Sequence, residues 1–208
     1  MIFAAKKTLR ASEQERDDIA ESRKKWAEFQ EIVQAERLVF LDESSAKTNM
    51  TRLRGRSLAG TRCHASAPGG HWETLTMLSS IRLDGNTECI VVDGAMDRTM
   101  FLEYIRQVLC PTLRPNDIVV MDNLSAHKNL KVAEYIKECG AELLYLPPYS
   151  PDLNPIENMW SKIKQLLRGM EARANETLEN GIAKALDLVC SSDARGWYKS
   201  CGYGRFQT

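Results

Sequence analysis

The sequence predicts an α/β fold in which a mixed sheet is covered by helices. Strands come first as a hairpin group and then alternate with helices, an order typical of a mixed sheet with helices on its faces. Residues 118–121 (IVVM) form a short unbroken apolar run, as expected of a strand buried on both faces. With 208 residues, 43% of them hydrophobic, the chain can bury a full core as one domain of ordinary size with flanking helices.

The first predicted element is a charged helix over residues 12–36, for which Ser12 and Glu15 form a capping box. This helix either docks its apolar stripe on the domain or links it to an upstream module, and both alternatives remain open. The remaining elements follow from hydrophobic periodicity and turn residues. They are strands at 37–42, 73–83 and 87–93, a helix at 99–109, a strand at 118–121, a helix at 130–139 ended by Gly140, a strand at 142–146, an amphipathic helix from Pro155, and another around 178–189, with a hairpin at Asp84-Gly85 and no clear period in the tail from Gly196.

Composition excludes few classes of protein. The 28 basic residues balance the 28 acidic ones, so a DNA enzyme would have to concentrate its positive charge locally. No apolar run approaches the roughly 18 residues of a membrane span, and the N-terminus lacks the apolar core of a signal peptide. We therefore expect no membrane partner. The six cysteines are scattered without a CxxC pair, so we expect reduced thiols in a cytosolic protein and no zinc site.

Three acidic residues follow buried strands or begin a helix. The run at 38–41 ends on Asp42, the run at 118–121 ends on Asp122, and Glu157 follows after 34 intervening residues in the first turn of a predicted helix. Carboxylates that meet where buried strands end repel one another unless cations lie between them. The pattern therefore suggests a metal-dependent nuclease.

Each of these acids also has a structural alternative. Asp suits turns and helix N-caps, while Asn154, Pro155 and Glu157 fit the N-cap, N1 and N3 positions of a capped helix. Asp93 ends a strand in the same way. If the first three strands form a meander, Asp93 is roughly 10 Å from Asp42, too far to share a metal pair, and we interpret it as a turn residue.

The segment after the first strand carries the largest local excess of positive charge. It is rich in Ser, Thr and Gly and has almost no opposing acid. The segment is either a solvated basic loop or an arm that contacts phosphates. Its basic residues are Lys47, Arg52, Arg54, Arg56 and Arg62.

The strings around the three acids, VFLDES, VVMDNLSAH and LPPYSPDLNPIENMW, closely resemble the motifs of DDE transposases. The nearest resemblance is to the mariner-like group found in bacterial insertion sequences. It extends from about Lys6 to Tyr203 and includes TNMTRLRGRS, TLRPNDIVVMDN and KIKQLLR. The string YSPDLNPIE is the most specific of these motifs, whereas the first aspartate motif alone would be weak.

The resemblance implies a ribonuclease-H-like fold, a mixed five-stranded sheet flanked by helices. It implies that Asp42, Asp122 and Glu157 are the catalytic triad and bind two Mg²⁺ ions, for which Mn²⁺ may substitute. The implied reaction is cleavage of DNA at the element's terminal inverted repeats and strand transfer into target DNA. The implied catalytic domain covers residues 37–172, between a linker-helix region at 1–36 and a C-terminal helix and tail at 173–208 that pack on it.

Two further sets of residues follow from the motifs. Asn123 and His127 share the second aspartate motif and either occupy a turn and helix start or orient a ligand and contact DNA. The second set comprises candidates for contacts with the DNA backbone. These are Lys47, Arg52, Arg54, Lys162, Lys164 and Arg168.

The resemblance also has a departure. Full-length relatives carry upstream helix-turn-helix domains, and nothing before Ser12 resembles them. We therefore expect either a separately encoded helix-turn-helix polypeptide or a truncated copy. The alternative function is an inactive or regulatory DNA-binding remnant. An active protein is expected to act as a homodimer on DNA, in the cytoplasm and on the nucleoid.

Overall fold

Five strands form one mixed sheet in the computed structural model, which describes residues 11–123 and 130–204. Short 3-10 turns at Ser12–Glu15, Ala35–Arg37, Cys110–Thr112 and Pro151–Leu153 connect the regular elements, and α2 continues as a π-helical turn at Ile105–Leu109. The regular elements are α1 (Asp17–Ile32), β1 (Leu38–Lys47), β2 (Thr74–Arg82), β3 (Thr87–Asp93), α2 (Arg98–Tyr104), β4 (Ile118–Met121), α3 (Leu130–Glu138), β5 (Glu142–Tyr145), α4 (Pro155–Met170), α5 (Asn175–Asp187) and α6 (Ser191–Ser200).

The strand order is β3-β2-β1-β4-β5, which confirms the predicted mixed five-stranded sheet. The pairs β1–β2 and β2–β3 are antiparallel, whereas β1–β4 and β4–β5 are parallel. Leu41 pairs with Met121 across the first parallel pair. The residue that follows Leu41 and the residue that follows Met121 are both aspartates, so Asp42 and Asp122 are neighbours at the point where β4 ends.

The sheet is buried on both faces at β1 and β4, where successive residues point to opposite sides. Leu38 and Phe40 pack with α4, α5 and α6, while Val39 and Leu41 pack with α2 and α3. β4 divides in the same way, with Ile118 and Val120 on the first side and Val119 and Met121 on the second. This two-sided burial explains why the strand shows a continuous apolar run instead of alternation.

The predicted hairpin turn also contacts α6. Gly85 has φ = +91°, and Asp84 accepts a hydrogen bond from the Asn86 N–H at 3.0 Å. A Cβ at residue 85 would lie 2.9 Å from backbone atoms of Cys190 and Ser191. Glycine is therefore required here both by its conformation and by the close approach of α6.

Two element predictions were wrong in their limits, and one helix was missed. α1 begins at Asp17 with no side-chain cap, so Ser12 and Glu15 do not form the predicted capping box. β1 does not stop at Asp42 but runs on to Lys47, because this extension pairs with β2. The segment from Ser191, where no period was recognised in the tail, is α6, which buries Ala194 and Tyr198.

The C-terminal helices share the core of the sheet. The Tyr198 hydroxyl lies 3.0 Å from the carbonyl oxygens of both Leu38 and Ile81, and the Tyr203 ring packs on Phe40 at a centroid distance of 5.1 Å. The domain limits at 36/37 and 172/173 remain a prediction. Within residues 11–123 and 130–204, no helix combines the length and apolar character needed to cross a membrane.

Candidate active site

A cavity of about 360 Å³ opens at the edge of the sheet where β4 ends. Asp42 reaches it from β1, Asp122 follows β4, and Glu157 lies in the first turn of α4. The structure thus brings together the three acids that the sequence predicted as a triad. The remaining walls come mainly from the segment between β5 and α4. They are Asn123, Leu146, Pro147, Pro148, Tyr149, Ser150, Pro151 and Asn154.

Asn154 connects this segment to the first aspartate. It is 3% exposed, and its Nδ2 donates a long hydrogen bond of 3.5 Å to Asp42 Oδ2, while Asp42 Oδ1 accepts the Glu43 N–H at 2.8 Å. The Asn154 Oδ1 is buried and has no hydrogen-bond partner among the described residues. Asn154 holds the N-cap position of α4, but its side chain makes no capping hydrogen bond, so the predicted capping box is wrong.

The surroundings of Glu157 disfavour its ionised form. Its side chain is open to solvent, yet the walls of the cavity withdraw enough water to raise its pKa. The positive charge of Lys164 lowers the pKa of Glu157 in part, and the negative charge of Asp122 raises it further. Glu157 and Asp122 therefore repel each other within one cavity.

The donor set fits a hard divalent cation, because Mg²⁺ prefers oxygen ligands and the cavity offers three carboxylates and an unpaired amide oxygen. Even so, in the described part of the chain no three His, Cys, Asp or Glu side chains are arranged to hold a metal ion. Like-charged groups are expected to stay apart when no cation lies between them. The residues present are therefore suitable ligands that line one cavity without forming a closed cluster.

The segment between β5 and α4 is held in place from α1 and from the 3-10 turn before it. Tyr149 has φ = +55°, which is uncommon for a residue with a side chain, and its carbonyl accepts a 2.6 Å hydrogen bond from Gln14 Nε2. Arg23 donates to Ser150 Oγ at 2.6 Å and to both oxygens of Asp152 at 3.0 and 2.6 Å. α1 is thus a docked helix whose polar side chains support one wall of the cavity.

A buried tyrosine supports the same segment from the C-terminal side. Tyr203 donates a 2.8 Å hydrogen bond to the Leu153 carbonyl and accepts one of 2.9 Å from Trp26 Nε1. Arg23, Asn154 and Tyr203 were not recognised as site residues in the sequence, since their partners are far away along the chain. The only local signal was the specific string YSPDLNPIE, which contains most of those partners.

The other predicted site residues lie in several parts of the structure. Asn123 lines the cavity, and His127 lies outside the described residues. Lys47 is exposed, 5.8 Å above the ring of Trp72. Lys162 holds α4 to α6 through Asp193 Oδ2 at 2.5 Å and donates to the Leu188 carbonyl at 2.7 Å, while its contact with DNA stays a prediction.

Asp93 is separated from the three acids. It pairs with Leu75 at the end of β3, two strands from β1, and is followed by Gly94 at φ = +77°. Asp93 is thus the last residue of β3, and the turn begins at Gly94, one residue after the predicted turn residue.

Residues 37–179, more than half of the chain, match the family model described as DDE superfamily endonuclease. The chain belongs to this family. A Tcb1 transposable-element transposase of Caenorhabditis briggsae is 34% identical over 83 residues, a match that covers 38% of this chain and 30% of that relative. The chain therefore spans about a third of the length of the curated relative it matches.

Solved structures of Mos1 transposase share the fold. The Mos1 paired-end complex with the left transposon end has a TM-score of 0.73 at 15% identity, covering 97% of this chain and 64% of that one. Paired-end complexes of Mos1 with Mn and with Mg each have a TM-score of 0.71, at 16% and 14% identity, covering 97% and 96% of this chain and 64% and 63% of theirs. The ribonuclease-H-like fold predicted for the chain is thereby confirmed.

Proposed function

We propose that this chain is the catalytic domain of a transposase that cuts DNA at the ends of its element and joins those ends to target DNA. The observation that carries the proposal is the convergence of Asp42, Asp122 and Glu157 on one cavity within a DDE endonuclease domain. The relatives add support, because Tcb1 is a transposase and Mos1 was solved with a transposon end.

In the proposed site the three carboxylates are the metal ligands and together form the catalytic triad. When bound, two Mg²⁺ ions, or Mn²⁺ in their place, supply activation of the attacking hydroxyl or water and stabilisation of the leaving oxygen. Asn154 orients Asp42, and Asn123 lies where it can orient a ligand or contact phosphate. The choice of metals is supported by the oxygen-only donor set and by the Mos1 complexes with Mg and Mn.

The proposed partners are the terminal inverted repeats and the target DNA. Homodimer formation on DNA is supported by the paired-end complexes of Mos1. Recognition of the repeats by a separate helix-turn-helix polypeptide, origin in a bacterial insertion sequence, and a place in the cytoplasm and on the nucleoid are finer proposals. They rest on the motif strings and the scattered cysteines of the sequence, while the Tcb1 relative is a nematode protein.

The test is cleavage of a labelled duplex that contains the inverted repeats flanking the coding region, with and without any upstream helix-turn-helix polypeptide. We expect nicks and joined products in Mg²⁺ or Mn²⁺ and none in EDTA. The same ions should raise the melting temperature, because a ligand that binds only the folded state stabilises it. If the protein binds DNA but cleaves it in none of the mixtures that contain Mg²⁺ or Mn²⁺, the result would favour the regulatory-remnant hypothesis instead.

Replacing Arg23 by Gln should lower the cleavage rate by about 10 to 100-fold, since small misplacements of a catalytic group are costly. Arg23 does not line the cavity but holds Ser150, which does, and the neighbouring Asp152. The ion pair between Arg23 and Asp152 is partly exposed, so the free energy of unfolding should fall by no more than about 1 kcal/mol. Lys25→Gln, which breaks an exposed ion pair with Glu21 on the same helix, is the control. Equal rates for the two variants would contradict a positioning role for Arg23.

A further inference from the structure

A second cavity lies farther along α4, outside the candidate active site. It has a volume of about 700 Å³ and separates α4 from the segment that follows β1. Three arginines line it, namely Arg52, Arg54 and Arg168, and no acid is among the described residues that line it. We call it the arginine groove. An excess of like charge without balancing acid is expected where an anionic ligand binds.

The fold fixes the position of the groove. Arg173 Nη1, just beyond α4, donates to the carbonyls of Thr48 and Met50 at 3.2 and 2.8 Å, which ties the start of the basic segment to the end of the helix. A Cβ at Gly169 would lie 3.7 Å from Arg52 Nη2, so the guanidinium of Arg52 lies close over the helix. These contacts favour a placed arm over a freely solvated loop.

The helix dipole does not explain this arrangement. A cation near the last turn of a helix is stabilised by the nearby carbonyls, which accounts for Arg168 and, through its position over Gly169, for Arg52. Arg54 belongs to the segment after β1, and this effect does not account for its place in the groove. Three guanidinium groups on one groove repel one another, and an anion between them removes the repulsion.

The groove continues the active-site face of α4. Ser161, Gln165 and Arg168 follow Glu157 by 4, 8 and 11 residues, and eleven residues are about three turns, so all four lie on one face. The rise from Glu157 to Arg168 is about 16 Å, close to five nucleotide steps at about 3.4 Å each in B-form DNA. A strand whose reacting phosphate lies in the cavity can therefore extend into the groove.

We propose that the arginine groove binds the sugar-phosphate backbone of a DNA strand that extends from the candidate active site, without reading its base sequence. The identity of the strand rests on the proposed function. Guanidinium groups bind phosphate oxygens through paired hydrogen bonds, and Ser161 and Gln165 can donate to the same backbone. Leu53, exposed between the two loop arginines, offers an apolar contact to the sugars.

The experiment is fluorescence anisotropy of a labelled duplex of unrelated sequence in EDTA, over about 50 to 200 mM KCl. For a variant with Arg52→Gln, Arg54→Gln and Arg168→Gln, the slope of log affinity against log salt should become shallower by about 2 to 3, since each lost phosphate contact removes about 0.7 to 0.9. The control removes the same charge through Lys24→Gln, Arg98→Gln and Lys184→Gln, which are exposed and line neither cavity. The control slope should match that of the wild type.

The outcomes separate this proposal from the proposed function. If the salt slope of the groove variant is shallower than that of the wild type, but the wild type never nicks DNA in Mg²⁺, the groove is established and the proposed nuclease activity is rejected. Wild-type protein that nicks, with equal slopes for the wild type and the groove variant, overturns the groove alone. Equal losses in both triple variants, or no salt-dependent binding at all, also overturn it. Arg54→Gln alone, at an exposed position, should change the slope by about 0.7 to 0.9 and serves if the triple variant does not fold.

Discussion

Replacing Asp122 by Asn is expected to abolish metal-dependent DNA cleavage while the chain remains folded. Asn has nearly the same shape, so β4 and its pairing with β1 are retained. The variant loses one of the three carboxylates proposed to hold the cations, which provide several kcal/mol of transition-state stabilisation. The rate should therefore fall by at least about 1,000-fold. Cleavage is measured on end-labelled DNA, and folding by the thermal transition.

The matched control for this variant is Asp93→Asn. Asp93 also ends a strand of the same sheet but lies two strands from β1, where its carboxylate lines no part of the cavity. The control should cut DNA at the wild-type rate. Full cleavage by Asp122→Asn, or equal loss in both variants, would remove the basis for the proposed triad.

Glu157→Gln separates a metal ligand from a helix cap. Gln serves in a capping box as well as Glu does, so a purely capping residue would tolerate the change. No side-chain cap is formed at the start of α4, and Glu157 faces the cavity that contains Asp42 and Asp122. We therefore expect a loss of about 100-fold or more in cleavage rate with binding of DNA preserved.

The melting temperature of Glu157→Gln in EDTA gives an independent measure. The pKa of Glu157 is raised by loss of water and by Asp122, so near neutral pH its ionised form costs the folded state stability. Gln removes that cost, and the melting temperature should stay equal or rise. Retained cleavage at an unchanged melting temperature would instead assign Glu157 to helix capping alone.

The strands and most helices were predictable because their apolar residues recur at the positions that are buried in the fold. β4 is flanked by packed helices on both faces, and its four residues are apolar for that reason. The extension of β1 beyond Asp42 was not predictable, because Ser44 and Ser45 carry no apolar signal and their pairing with β2 is a long-range contact. α6 was missed for a similar reason, since it buries only Ala194 and Tyr198 among polar residues.

The three acids could be located in the sequence because strand ends and helix starts have local signatures. Their supports could not. Arg23 is one of several charged residues on α1, and its partner Asp152 is 129 positions away. Asn154 has the sequence signature of an N-cap, whereas the structure turns its amide toward Asp42. The sequence could not predict the Arg23 contact because its partner is distant along the chain. It could not predict the Asn154 contact because the same side chain could equally have capped the helix.

Anyone who dissects this protein meets a consequence of the contacts made by Gln14, Arg23 and Tyr203. A fragment cut at residues 37 and 172 would keep every carboxylate of the proposed triad, yet it would lose all three of these side chains. The family match at 37–179 leaves them out as well. The segment that contains the recognisable motifs is thus shorter than the segment needed to hold the cavity wall in place. A minimal fragment should therefore include Gln14, Arg23 and Tyr203.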